Sequence, residues 1–210
     1  MAEKLIRKYE IRKLPPCDDL AGPVSKHADM LVGLLDKRII LTRGYYEKNK
    51  ELFSGLDVCL TDEEQGGEYP RDVLLNFIDT ESAVIGYGKA ITKLINKPVV
   101  NVKQGYARCS TLICRNFAVS ADKGILNALA RLGFDTLEIV PGNIELPGYE
   151  SGFVGGASFA DDNDVYFFGS LSYHPDEKRI KEFVSSHGAK IHELDGGPLL
   201  DLGGAAVILN

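Results

Sequence analysis

Short β-prone apolar runs recur along the chain. Each is followed within a few residues by a second run, and then by apolar positions at helical spacing. The stretch from 111 to 140 shows the pattern best. Residues 111–114 and 117–120 read as two strands joined by Arg115-Asn116, a two-residue hairpin turn. Asp122 is placed to cap a helix whose apolar stripe is Ile125, Leu126, Leu129 and Leu132, and Gly133 stops it. Residues 136–140 then form a third strand. The same strand, turn, strand, helix, strand order fits three other stretches. In one, strands at 73–78 and 83–85 flank a turn at 79–82, a helix covers 86–96 on Ala90, Ile91, Leu94 and Ile95, and 98–102 closes the unit. Another has its turn at 161–164, a strand at 165–168, a helix over 175–186 and a last strand at 190–194. The earliest turns at Asp36-Lys37, with a strand at 39–42, a helix over 45–53 and a strand at 57–60.

A polar group opens each unit. Taking Asp29, Asp72, Cys109, Ser151 and Asp201 as equivalent gives spacings of 43, 37, 42 and 50 residues, and 38 going round through the termini. A period of that size is the mark of a ring or array of supersecondary units. The fifth unit is split: its hairpin spans 199–209, and its third strand, 9–13, comes from the other end of the chain. Joining both termini in one unit removes exposed sheet edges. An ordinary open α/β sheet also alternates strands and helices. Here, however, each second strand follows the first by only two to four residues, which fits only a tight hairpin. The expected architecture is therefore α/β, a five-bladed α/β propeller of ββαβ repeats closed by its own termini, with residues 1–210 as one domain.

Composition narrows the function. A chain of 210 residues that is 44% hydrophobic can bury one sizeable core. A net charge of −6 argues against a nucleic-acid partner, which needs a basic face. No early apolar stretch resembles a signal peptide and none is long enough to span a membrane, so a cytoplasmic, membrane-free protein is expected. Cys17, Cys59, Cys109 and Cys114 show neither a CxxC pair nor ligand spacing, and read as free thiols with no metal. The acidic turn 161–164 lacks the closing Glu of a calcium loop. Gly86-Tyr87-Gly88 lacks the third glycine of a nucleotide loop, and no cofactor is expected.

If the five strand starts converge, one channel mouth carries Asp29, Asp72, Asp201, Cys109 and Ser151, with Arg71, Arg108 and Glu150 one residue earlier. His27 falls on the same strand face as Asp29, two residues away. Three carboxylates held close raise one another's pKa unless a cation sits among them. A bound guanidinium meets carboxylates through two parallel hydrogen bonds and would serve. Arg71 or Arg108 would serve internally, making the collar a structural ion-pair network. Cys109 has two readings as well: a nucleophile with His27 as base and Arg108 favouring the thiolate, or a small residue packed at a crowded axis. The loops after the third strands bring Lys103, Gln104, Tyr106, Asn143, Glu145 and Tyr149 to the same end, as the rim of a pocket.

Five ββαβ units about a pseudo-fivefold axis resemble the pentein fold of the guanidino-group-modifying enzymes. That superfamily holds arginine and agmatine deiminases, dimethylargininases and amidinotransferases, together with non-catalytic relatives that bind the ribosome. Residues 148–156 (GYESGFVGG) and 195–204 (DGGPLLDLGG) are similar to an uncharacterised bacterial family of this fold. The resemblance implies a small cationic or guanidino ligand at a central channel. In the catalytic families the nucleophilic cysteine opens the inner strand of the last repeat, where this chain has Leu200-Asp201-Leu202. The family histidine belongs to the fourth inner strand, where Phe153-Val154-Gly155-Gly156 stands. His174, His187 and His192 lie elsewhere. The resemblance thus implies a binding protein without the usual deiminase chemistry. Its alternatives are a non-catalytic interaction scaffold and an amidine hydrolase or transferase using Cys109.

Overall fold

The computed structural model describes residues 8–208 and resolves twelve strands into four three-stranded sheets. In the first, β1 (Gly33–Leu35) pairs antiparallel with β2 (Arg38–Thr42), which pairs parallel with β3 (Val58–Thr61). The same order repeats in β4 (Ile78–Asp79), β5 (Val84–Gly86) and β6 (Val99–Asn101). It repeats again in β7 (Thr111–Cys114), β8 (Phe117–Ser120) and β9 (Asp135–Glu138), and in β10 (Ser158–Asp161), β11 (Asp164–Phe167) and β12 (Lys190–Glu193). The hairpin turns follow their residues. Asp36 and Lys37 adopt φ of 51° and 66°, the left-handed pair whose twist matches that of the flanking strands. Among the described residues there are four α-helices: α1 (Ala28–Leu31), α2 (Arg43–Lys48), α3 (Lys123–Arg131) and α4 (Glu177–Ser186). The Asp122 carboxylate accepts from Ile125 N at 2.9 Å and caps α3, which buries Ile125, Leu126, Ala128 and Leu129.

Two expectations fail in the second unit. Residues 86–96 form turns rather than a helix. Thr92 N donates to Leu74 O at 3.0 Å and Gly88 N to the Asn101 side chain at 2.9 Å, so tertiary partners take N–H groups that a helix would use. Ile91 is buried all the same, so the apolar spacing there reports packing. Residues 71–77 turn through a short 3-10 segment (Arg71–Val73) before β4, leaving only two strand residues where six were expected.

The fifth sheet is not formed among the described residues, and Leu209 lies outside them. Residues 199–208 form no strand, and Gly203 and Gly204 turn the chain with φ of 81° and 64°; residues 9–13 form no strand either. Leu200 nevertheless bridges to Glu145 in parallel sense and donates from N to Phe168 O at 2.8 Å. Beyond it the tail lies between the fourth unit and the first. Ala205 and Val207 pack with Tyr9 against Phe159, Tyr166, Phe168 and Leu194, while Ala206 and Ile208 pack against the cluster around Met30, Leu31 and Ile39. Among the described residues, no helix is long and apolar enough to cross a membrane.

Candidate functional site

The turns preceding the first strands of the sheets meet at one place, linked by hydrogen bonds in a closed circuit. Asp29 N donates to Gly203 O at 2.9 Å. Asn76 Nδ2 donates to Asp29 O at 2.9 Å, and Asn76 Oδ1 accepts from Arg108 N at 2.8 Å and Cys109 N at 3.3 Å. Gly156 N donates to Cys109 O at 3.0 Å, and Gly204 N returns to Gly156 O at 2.8 Å. Each sheet contributes one station and the C-terminal tail the fifth. Glycine is required at two of them for lack of room: a Cβ on Gly156 would overlap the Asp201 carboxylate, and one on Gly203 would overlap His27.

Inside this circuit stand His27, Asp29, Asp201, Cys109 and Arg108. His27 Nδ1 is 3.6 Å from Asp201 Oδ1 and 4.0 Å from Asp29 Oδ1. Asp201 is well held, accepting from Phe153 N at 2.8 Å and Gly203 N at 3.0 Å. Asp29 is not: both its carboxylate oxygens are buried without a hydrogen-bond partner. Burial, reinforced by the Asp201 charge, raises the Asp29 pKa to about 7, with the Cys109 thiol and Arg108 opposing. Burial also raises Asp201, against the backbone N–H groups of Phe153 and Gly203 and the charge of His27. It lowers His27, opposed by Asp201. The Cys109 thiol is pushed well above its ordinary range by burial and then by the two aspartates. Its sulfur packs against Asn76 Nδ2 at 2.8 Å and Met30 Sδ at 3.8 Å. It is a protonated, enclosed thiol, the opposite of the low-pKa environment an attacking cysteine needs.

Asp29 and Arg108 also line a cavity of about 190 Å³, walled by Leu34, Ile78, Ile113 and Ala160 from the first strand of every sheet and closed by tail residues Gly203, Ala205, Ala206 and Val207. Asp79 lies in its wall too. A larger cavity, of about 270 Å³, lies between the third and fourth units, and its wall at Gly152 and Phe153 backs onto Asp201, which accepts from Phe153 N.

The remaining sequence candidates go elsewhere. Asp72 is buried in a separate group, its Oδ2 accepting from Tyr106 OH at 2.6 Å, and Gln65 Nε2 bridges Asp72 O and Met30 O. Asn76 takes the place expected for Asp72, because the turn at 71–77 delays the strand. Ser151 Oγ donates to Gly152 O and Ile144 O within its own loop, and Gly156 holds its expected station. Arg71 and Glu150 are exposed, as are Lys103, Asn143, Glu145 and Tyr149 among the loop residues. Gln104 lines the larger cavity, and Glu145 holds Asp201 in place, its O accepting from Asp201 N at 2.8 Å. Asn76 had one signal in the sequence: a polar residue inside the otherwise apolar run 73–78. Among the described residues, no group of three or more His, Cys, Asp or Glu side chains is arranged to hold a metal ion.

The four small ββ(α)β sheets make a mixed α/β fold that matches the pentein fold of a solved enzyme structure. A crystal structure of a dimethylarginine dimethylaminohydrolase variant, carrying an adduct with S-methyl-L-thiocitrulline, matches with a TM-score of 0.57 over 92% of this chain and 78% of that one. At 14% identity the likeness is one of fold. By sequence, the chain belongs to the family of unknown function DUF6873, whose model covers residues 1–206. No curated protein matches it.

Proposed function

We propose that the chain is a closed five-unit pentein that binds a small guanidino or related cation at its centre, with Asp29 as anchor and Asp201 as the second negative charge. The observation that carries this is the Asp29 carboxylate: both oxygens lack a partner, and the residue lines a cavity of about 190 Å³. A buried carboxylate with only the Cys109 thiol, Arg108 and a histidine 4.0 Å away beside it is costly, and a guanidinium fork supplies two N–H groups in the geometry a carboxylate accepts. The hydrogen-bond circuit and the tail packed between the first and fourth units support the closed ring. With Asp201 at the family's cysteine position and Cys109 held protonated, the reading is of binding without the usual covalent chemistry. Four free thiols, three of them buried, fit a reducing compartment such as the cytoplasm.

Isothermal calorimetry against agmatine, arginine and methylated arginines tests this. Binding of at least one is expected at neutral pH, weakened about 10- to 100-fold in Asp29→Asn, the range for a charge-assisted hydrogen bond. No heat with any of them, from a protein that melts cooperatively, would leave the second reading, an interaction scaffold. The observation favouring that one is the half-exposed pair Tyr69 and Tyr149, at 50% and 49%, the former stacked on Tyr87.

A further inference from the structure

The larger cavity is a second site of different chemistry. Its walls come from two units: Ile139 and Val140 after β9, Ile144 and Val154 from the loops that follow, and Ala121 beside the start of α3. Its polar groups separate cleanly into used and unused. Ser120 Oγ donates to Ser110 O at 2.7 Å, and Ser151 Oγ is engaged in its own loop. Asp122 Oδ1 is occupied by the α3 cap. Gln104 Oε1 accepts from Tyr106 N at 3.1 Å, which leaves its amide N–H₂ without a protein partner among the described residues. Ser110, only 4% exposed, has a buried hydroxyl with no partner at all. The Gln104 amide is therefore a spare donor lining a largely apolar cavity, and the enclosed Ser110 hydroxyl is a second spare donor beside it.

The charges decide what those donors are for. No lysine, arginine or histidine lines the cavity, and its one ionisable lining residue is the acidic Asp122, so an anion is disfavoured. A cation is disfavoured as well, because the positive end of the α3 dipole faces this place and Asp122 already satisfies it. A neutral acceptor remains. At about 270 Å³ the space exceeds the roughly 150 Å³ that encloses a benzene ring.

We infer that this cavity binds a neutral carbonyl compound about one ring in size, a carboxamide or lactam, with its carbonyl toward Ser110 and Gln104 and its apolar body against Ile139, Ile144 and Val154. This cavity shares no lining residue with the one beside Asp29, although Phe153 in its wall donates to Asp201, and its occupation does not rest on a ligand at Asp29.

Methyl-labelled full-length protein titrated with benzamide, benzoate and benzylamine tests the assignment by NMR. Benzamide is expected to shift the methyl resonances of Ile139, Val140, Ile144 and Val154, with benzoate and benzylamine binding at least about tenfold more weakly. Ser110→Ala, which removes an unpaired buried hydroxyl and so folds normally, should weaken benzamide about 2- to 12-fold, the range for one neutral hydrogen bond. Ala121→Phe, which fills the space, should abolish the shifts, and Asp29→Asn should leave them unchanged. The assignment is overturned by an absence of shifts at these four residues, by equal binding of benzoate, or by an unaltered affinity in Ser110→Ala.

Discussion

Asp29 carries the largest consequence of any single side chain. Its folded pKa stands near 7 against an ordinary 3.8. Between those values the folded state keeps a proton that the unfolded state has lost, so this residue makes stability fall as pH rises, and the penalty is complete above about pH 7. Asp29→Asn lacks that slope. It should match the native protein near pH 4 and exceed it by up to about 4 kcal/mol at pH 8, since each unit of the rise from 3.8 to about 7 is about 1.4 kcal/mol. Urea denaturation at the two pH values checks this, and a variant that loses ground as pH rises would show that the carboxylate is charged and paired. Cys109 gives a second expectation. Iodoacetamide at neutral pH should label Cys59, which is partly exposed, well before the buried Cys17, Cys109 and Cys114, as resolved by mass spectrometry of peptides. Rapid labelling of Cys109, blocked by agmatine, would restore the nucleophile reading. The acidic centre was legible in the sequence because His27, Asp29, Arg108, Cys109 and Asp201 lie beside strand starts that could be counted. Asp72 and Ser151 were misaligned for one reason: equal spacing of polar residues does not fix how many turn residues precede a strand. Asn76 and Gly156 hold their stations through a side-chain amide and through the lack of a Cβ, neither of which hydropathy reports.

At the scale of elements, legibility followed how local the signals are. The third unit reads correctly from turn to helix stop, because a two-residue turn, an N-cap and a terminal glycine each act within a few residues. Asp122→Ala should cost about 1 kcal/mol in denaturant titration through loss of the cap to Ile125 N. Little or no cost would mean that packing of the Ile125, Leu126 and Leu129 face holds α3 without its cap. The turn at Asp36-Lys37 offers the opposite change. Lys37 sits at φ 66°, and Lys37→Gly should stabilise the hairpin by up to about 1 kcal/mol, since a side chain in that region is strained. The second unit misled because its N–H groups find partners far away in sequence. Thr92 bonds to Leu74 O and Gly88 to Asn101, so an apolar spacing that fits a helix is satisfied by turns that bury the same Ile91.

For the whole molecule the question is whether the tail completes a ring, since four sheets are formed and the tail packs between the fourth unit and the first. The tail's contacts are of two kinds. Gly203 O receives Asp29 N, Gly203 N serves Asp201, and Gly204 N reaches Gly156 O, so three hydrogen bonds of the central circuit end on two residues. Val207 and Ile208 meanwhile add apolar surface to the clusters of the fourth and first units respectively. Deleting residues 203–210 therefore removes about 1 kcal/mol per hydrogen bond and about 1.5–3 kcal/mol for each large apolar side chain fully buried, an upper bound for these half-buried ones. At about 2–4 °C per kcal/mol for a chain of this size, the hydrogen bonds alone should lower the melting temperature by at least about 6 °C. Exposed apolar dye-binding surface should appear with it. A circular permutant separates contact from connectivity. Tyr9 and Val207 pack in one cluster, so a flexible linker between the termini should be tolerated, with new ends at the exposed turn between Glu81 and Ser82. That protein keeps every tail contact and should melt within a few degrees of the native chain. If the deletion melts normally, the four sheets stand without closure and the fifth unit is an accessory. If the permutant fails while the linker is long enough, the order of the units along the chain, and not the ring alone, holds the fold.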